Sequence, residues 1–231
     1  MIKAVLALGL MMASLGVPQT AEAALITFNS RAAFDLAAGP LPTETFEEGN
    51  VGAGQIVPCP APLDASSNNS CFTPGEILAG LQLTVNPTSS SGLALTGDGF
   101  SGINTEAVFA NVFSQELDLI FSASNAVGAD LYSEFSSSIL NVSVFGTTGL
   151  LGVFQVAAIN SGAGTFFGVI STGEPIVRIH LASQVGAAEG VDNVSFGTIG
   201  ARQVPEPGSL ALLGLGLAGA CTRMHRRRRT V

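Results

Sequence analysis

Several residue types are scarce in this 231-residue chain, and each shortage excludes something. There is no tryptophan and only one tyrosine, which argues against a lectin that stacks sugars on broad aromatic rings. Polar or calcium-bridged contact with a glycan stays open. Between residues 24 and 204, fifteen acids stand against three basic residues, a formal charge of −12. Because an acidic body repels phosphate backbones, no nucleic-acid partner is expected.

Catalytic motifs are also missing. The chain has no P-loop, no dinucleotide fingerprint, no HExxH helix and no GxSxG elbow beside which His180 could act. A secreted hydrolase would have to use Glu116 and Asp118, which share one strand face, as its carboxylate pair. A solvated strand face explains those two acids better. The sequence therefore predicts a protein that is not an enzyme.

The N-terminus has the three parts of a secretory signal peptide. Lys3 supplies a positive charge, residues 4–17 are apolar, and Ala21 and Ala23 fit the small-x-small rule for signal peptidase. We expect cleavage after Ala23, so that residues 1–23 form the signal peptide. An uncleaved membrane anchor is the alternative, but about 20 apolar residues are needed to span a bilayer.

The C-terminus, residues 201–231, also has three parts. Pro205, Glu206 and Pro207 keep the backbone extended and open to a protease. Residues 208–221 form a short apolar helix that spans or dips into the inner membrane. A basic cluster follows and, by the positive-inside rule, holds the end of the chain in the cytoplasm. Its members are Arg223, Arg226, Arg227, Arg228 and Arg229.

This order of signal peptide, body, Val-Pro-Glu-Pro, apolar helix and basic cluster resembles the PEP-CTERM proteins, which Gram-negative bacteria export. The resemblance implies recognition of Pro205, Glu206 and Pro207 by exosortase, a membrane-embedded cysteine protease. It also implies a protein that is exported through the inner membrane and anchored there transiently. The body would then pass to the envelope or the extracellular matrix, among exopolysaccharide.

Two of the three cysteines, Cys59 and Cys71, lie in the body. Export places them in an oxidising compartment, and the segment between them is polar, proline-rich and turn-like. A disulfide there is favoured over a two-cysteine metal site, which lacks partners.

The body, residues 24–200, alternates short apolar runs with glycine and serine turns, which predicts an all-β sandwich or jelly roll. One short helix is expected at residues 30–38, with Ser30 as its cap. The predicted strands cover residues 25–28, 43–48, 80–85, 93–96, 107–113, 116–122, 126–133, 139–146, 150–159, 165–171, 176–183 and 190–197.

Asp192 is the most informative acid of the body. It shares strand parity with Val194 and Phe196, which predicts that it leans toward the core, where an unpaired carboxylate is costly. One solution is a structural Ca²⁺ with Glu47 or Glu48 as further ligands. The other is an aspartate that accepts backbone amides in an Asx-type turn.

Together these features predict a structural or interaction protein of the envelope, associated with exopolysaccharide and processed by signal peptidase and exosortase. The alternative is a calcium-assisted carbohydrate-binding module, and the hydrolase is a distant third. No other cofactor is expected.

Overall fold

The structure is a computed structural model that describes residues 24–87, 92–134 and 136–200. The predicted signal peptide, residues 1–23, and the predicted sorting segment, residues 201–231, lie outside the described residues. Both therefore stay predictions as far as the structure is concerned.

The described chain is mostly β, with fourteen strands, one α-helix and one 3₁₀ turn. The helix is α1 (Arg31–Ala38), and the 3₁₀ turn is Phe100–Gly102. The strands are β1 (Leu25–Phe28), β2 (Thr43–Glu44), β3 (Ile56–Cys59), β4 (Leu63–Asp64), β5 (Leu81–Asn86), β6 (Leu93–Thr96), β7 (Ala107–Ala110), β8 (Glu116–Ser124), β9 (Ala126–Ser133), β10 (Ser138–Gly146), β11 (Leu150–Ala158), β12 (Thr165–Ser171), β13 (Ile176–Ser183) and β14 (Glu189–Gly197).

The strands form two sheets, and every named pair of strands is antiparallel. The larger sheet has the order β1-β12-β9-β14-β7-β6-β3, and β2 pairs with β14 beside this path. The smaller sheet has the order β11-β10-β13-β8-β5-β4. This two-layer arrangement confirms the predicted β-sandwich.

The main core lies between the two sheets. Strand β9 contributes Val127, Ala129 and Leu131 from the larger sheet, while β10 contributes Leu140 and Val142 from the smaller one. Each set follows the period of two that places alternate side chains on one face of a strand. The residues between them therefore lie on the outer face of their sheet.

The predicted strands agree with the observed ones in position more than in length. The run predicted at residues 43–48 pairs only at Thr43–Glu44, because Phe46 has a positive φ of 57° and breaks the extended backbone. The run predicted at residues 107–113 ends at Ala110, and the short strands β3 and β4 were not predicted. Their segment, residues 56–64, contains three prolines, which hide a strand signal.

The helix begins one residue after the predicted start, so that Ser30 occupies the N-cap position. Its side chain makes no capping hydrogen bond, contrary to the prediction. The helix is anchored by Phe34, which is completely buried on the outer face of the larger sheet. Within the described ranges, no helix combines the length and the apolar content needed to cross a bilayer.

Candidate functional site: polar clusters on the two outer sheet faces

Asp192 is fully buried, but it does not lie on the core side that strand parity predicted. Its register partner on β9 is Asp130, which sits between the core residues Ala129 and Leu131. A β-bulge interrupts β14 just after Asp192, where Asn193 has a φ of 50°. The extra residue shifts the parity of the strand, so Val191 and Val194 both contact the core and Asp192 lies on the outer face.

The bulge also supplies partners for the buried carboxylate. The backbone N–H of Asn193 donates to Oδ1 of Asp192 at 2.6 Å, and the Asn193 side-chain amide donates to Oδ2 at 2.6 Å. The Thr105 hydroxyl lies 2.9 Å from Oδ2. Asp192 therefore accepts hydrogen bonds from amides, as in the Asx-type turn that was predicted from the sequence as the alternative to a calcium ion.

The structure does bring Glu47 to Asp192, as the calcium hypothesis required. The Thr105 hydroxyl lies 2.6 Å from Oε1 of Glu47 as well as close to Asp192, although it has a single proton to donate. Glu47 Oε1 also accepts the backbone N–H of Glu106 at 3.2 Å. We call Glu47, Thr105, Glu106 and Asp192 the Asp192 cluster.

The Asp192 cluster carries more negative charge than its surroundings compensate. Burial, helped by the charges of Asp130 and Glu47, raises the pKa of Asp192 to about 7. Burial also raises the pKa of Glu106 to about 7, helped by Glu47 and Glu48. Oε2 of Glu106 is buried without a hydrogen-bond partner among the described residues.

The cluster is not a complete metal site by itself. In the described part of the chain, no three histidine, cysteine, aspartate or glutamate side chains form a group that could hold a metal ion. Glu48, the third predicted ligand, lines a separate surface pocket with Glu44 and Glu76. Calcium would therefore have to recruit the Thr105 hydroxyl and water beside Glu47 and Asp192.

Sequence reasoning missed an ion pair next to this cluster. Arg31, in the first turn of α1, has its guanidinium 3.1 Å from the Asp130 carboxylate. The same guanidinium donates to the Asn193 carbonyl at 2.8 Å and to the Ser195 hydroxyl at 3.1 Å. Asp130 is the single acid of the apolar strand AVGADLYS. This pattern indicates a partner for Asp130, because a buried carboxylate needs one.

A second cluster lies on the outer face of the smaller sheet. His180 on β13 lies between two acids of β8: its Nε2 is 3.2 Å from Glu116 and its Nδ1 is 2.9 Å from Asp118. Arg178 approaches Asp118 at 3.6 Å and stacks on Phe145, 4.0 Å from the ring centroid. These contacts leave Asp118 only 6% exposed, although it lies on the outer face that the sequence predicted to be solvated.

Both acids of the hypothetical hydrolase pair are thus ion-paired. The hydrogen bond that Asp118 accepts from the ring raises the pKa of His180. The charges of Asp118 and Glu116 raise this pKa too, whereas burial lowers it. Glu116, Asp118, Arg178 and His180 form an ion-pair network that ties β8 to β13.

The predicted disulfide is confirmed. Cys59 and Cys71 are bonded, with Cα atoms 5.9 Å apart, and both are buried in the main core. The bridge ties β3 to the loop that follows β4.

Comparison with known protein families decides what the tail is. The family model described as the PEP-CTERM protein-sorting motif matches residues 203–229. The chain carries a PEP-CTERM sorting motif. The match confirms the resemblance stated from the sequence and marks an exported protein whose PEP-CTERM motif is a recognition signal for exosortase processing. No curated protein sequence matches the chain.

Solved structures that resemble the chain do so weakly. One is a family 6 carbohydrate-binding module (18% identity, TM-score 0.31, covering 63% of this chain and 94% of that one). Another is the CBM22-1–GH10 part of the Clostridium thermocellum xylanase 10B (11% identity, TM-score 0.32, 69% of this chain and 28% of that one). A third is the K1 cleaved adhesin domain of Lys-gingipain from Porphyromonas gingivalis W83 (15% identity, TM-score 0.33, 70% of this chain and all of that one). At these TM-scores the likeness carries no argument about function.

Proposed function

We propose that this chain is an exported structural or interaction protein of the cell envelope, associated with exopolysaccharide. Signal peptidase removes residues 1–23 after Ala23, and the apolar helix and arginines of the tail hold the protein transiently in the inner membrane. Exosortase then acts at or near Pro205, Glu206 and Pro207. The β-sandwich passes to the envelope or the extracellular matrix.

One observation carries this proposal: a PEP-CTERM motif follows a compact, disulfide-bonded β body. The body suits an extracellular setting, because a disulfide persists under oxidising conditions. The candidate carboxylate pair supports a non-catalytic role, since Asp118 is buried and paired with both Arg178 and His180, which leaves it little access to a substrate. We therefore regard the chain as the substrate of a protease and not as a catalyst.

The test is the fate of the tail in a host that has exosortase. We expect Glu206→Ala to stall maturation, so that intact mass spectrometry of membrane fractions finds the tail still attached. Thr230→Ala, which lies just outside the matched residues, is the control and should mature normally. Full-length wild-type protein that is soluble in the cytosol with both ends intact would overturn the proposal.

A calcium-assisted carbohydrate-binding module is the second candidate, and the Asp192 cluster favours it. Glu47 and Asp192 share the single hydroxyl of Thr105, and the pKa values of Asp192 and of the neighbouring Glu106 are raised to about 7. A divalent cation would relieve that excess of negative charge, with Glu47, Asp192 and the Thr105 hydroxyl as ligands and water completing its coordination.

Thermal unfolding of the full chain at pH 8 tests this candidate. Calcium at millimolar concentration should raise Tm of the wild type and leave Tm of Asp192→Asn unchanged. Glu48→Gln, which removes an acid outside the cluster, should respond like the wild type. An equal response of all three proteins, or none in the wild type, would exclude a calcium site at Asp192.

A further inference from the structure

A groove lies where the two sheets meet at one side of the sandwich. It is formed by the edge strand β1 and its neighbour β12 on the larger sheet and by the edge strand β11 on the smaller one. Its volume is about 450 Å³, which is within the range of ligand pockets. Phe28, Phe154 and Phe166 line it and are each half-buried. The Phe154 ring packs against the main core, with its centroid 5.7 Å from that of Phe167.

The rings of this groove are held in place by other rings. Phe28 contacts Phe34 edge-on with centroids 5.8 Å apart, and Phe34 contacts Phe166 at 5.7 Å. Below them, Gly128 and Gly168 are register partners on β9 and β12. A Cβ on either glycine would come within 3.0 Å of Phe34 and Phe166, so the two glycines provide a flat floor for these rings.

The polar groups of the groove are neutral. Asn29 and Gln155 present exposed side-chain amides, and Thr27 presents an exposed hydroxyl. Thr165 donates to the Ala157 carbonyl at 2.9 Å and fixes β12 against β11. The described residues that line this groove carry no formal charge, although the body as a whole is strongly acidic.

A second cavity, of about 500 Å³, lies next to the groove, and the contact between Arg31 and Phe166 separates the two. Arg31 lines the second cavity, and its guanidinium carbon is 4.7 Å from the ring centroid of Phe166, which lines the first. The guanidinium is already paired with Asp130, and Asp35 is exposed in the same cavity. An anion would therefore find no surplus positive charge here, whereas hydroxyl groups would find the exposed carboxylate of Asp35 and the exposed hydroxyl of Thr43.

We propose that the two cavities form one extended site for a neutral polysaccharide, with the Arg31–Phe166 pair between its two halves. Sugar rings would pack their apolar C–H faces on Phe28 and Phe166, and their hydroxyls would bond Asn29 and Gln155. The phenylalanines replace the tryptophan and tyrosine platforms that the sequence lacks. This inference deepens the proposed function, because it names the class of exopolysaccharide that the body would hold.

Calorimetry on the full chain tests the site, with cellopentaose, laminaripentaose and mannopentaose as neutral probes and pentagalacturonate as the charged one. We expect at least one neutral probe to bind and pentagalacturonate to bind at least tenfold more weakly. Gln155→Ala, which removes an exposed amide, and Phe166→Ala, which removes a ring, should each weaken that binding, Phe166→Ala by about tenfold. Gln55→Ala, an exposed amide beside the opposite edge strand β3, should bind like the wild type.

Circular dichroism would show whether Phe166→Ala still folds, and Gln155→Ala tests the same groove without removing a packed ring. Preferential binding of pentagalacturonate, no binding of any neutral probe, or equal binding by both groove variants and Gln55→Ala would overturn the site. Co-sedimentation with the exopolysaccharide of the exporting cell separates this failure from that of the proposed function. If the wild type and the groove variants co-sediment equally, the association holds and only the site is wrong; if the wild type does not co-sediment, both fail.

Discussion

Nδ1 of His180 lies 2.9 Å from Oδ1 of Asp118, directly across the paired strands β13 and β8. The pair is largely shielded from water, since the His180 side chain is 17% exposed and that of Asp118 is 9% exposed. Because the carboxylate favours the protonated ring, the pKa of His180 is raised above its ordinary value. The histidine therefore keeps its proton to a higher pH in the folded protein than in the unfolded chain.

Asp118→Asn should lower the pKa of His180. Asparagine keeps a hydrogen bond to the ring but removes the charge that holds its proton. An NMR titration of the imidazole measures this shift, with His225→Gln in both proteins to leave a single histidine. Ser143→Ala, which changes the residue opposite His180 on β10, should leave the titration where it is. An unchanged pKa in Asp118→Asn would show that the hydrogen bond and not the charge is responsible.

The same pair stabilises the fold only at lower pH. A group whose pKa is raised on folding contributes its full stabilisation below its unfolded value, about 6.5 for histidine, and loses it as pH rises through the folded value. The buried acids act in the same direction, because a carboxyl with a raised pKa costs stability once it ionises. We therefore expect the free energy of unfolding to fall between pH 5 and pH 8.

Glu189→Gln should flatten that pH dependence. Glu189 is 2% exposed, and burial raises its pKa to about 7, so folding keeps it protonated while the unfolded chain ionises it near 4.5. The stability difference between pH 5 and pH 8 should shrink by about 2 kcal/mol, since each unit of pKa corresponds to about 1.4 kcal/mol. Urea unfolding at the two pH values measures it.

The matched control for Glu189 is Glu76→Gln. Hydrogen bonds from Thr73 lower the pKa of this exposed acid, so it does not titrate between pH 5 and pH 8. Its pH dependence should equal that of the wild type. If Glu189→Gln also keeps the full dependence, Glu189 ionises normally in the folded protein and the assignment is wrong.

The sequence predicted the strands where a period of two runs unbroken. Residues 139–146 and 176–183 carry such runs, and the observed β10 (Ser138–Gly146) and β13 (Ile176–Ser183) match them to within one residue. The fold class follows from these runs because each must bury one face. The order of the strands in each sheet cannot be predicted from these runs. It depends on contacts between strands that are distant in sequence, and the pattern within one strand does not specify its neighbours.

The candidate site was predictable in part. Asp192 was chosen from its strand parity and Glu47 as an acid near the start of the body, and the structure brings both to the same hydroxyl of Thr105. The face of Asp192 was predicted wrongly, because one residue in the left-handed region, Asn193, reverses parity without a glycine to mark it. The phenylalanine groove was also missed, because Phe28, Phe154 and Phe166 belong to three strands that meet only through the topology.

Gly190→Ala should destabilise the protein by about 1–3 kcal/mol. A Cβ at Gly190 would lie 2.3–2.5 Å from three ring carbons of Phe109, which is itself buried beside Tyr132. The ring cannot retreat without disturbing this smaller core. Gly52→Ala is the control, because its Cβ would meet only the Gln55 side chain at 3.4 Å. Equal midpoints for the two variants in urea unfolding would contradict this packing.

Replacing both Cys59 and Cys71 by alanine should lower the free energy of unfolding by about 2–4 kcal/mol. The bridge joins residues 12 apart in sequence, so its loss restores conformational freedom mainly to the unfolded chain. Urea unfolding measures the change, and Cys221→Ala, which alters the tail cysteine, should have no effect.

Reduction of the wild type with dithiothreitol separates the effect of losing the cross-link from the effect of losing the packed sulfur atoms. Reduced thiols keep the buried volume of the sulfur atoms, so reduced wild type and the double variant should be nearly equally stable if the cross-link dominates. A double variant much weaker than the reduced wild type would instead show that packing around β3 is what these cysteines supply.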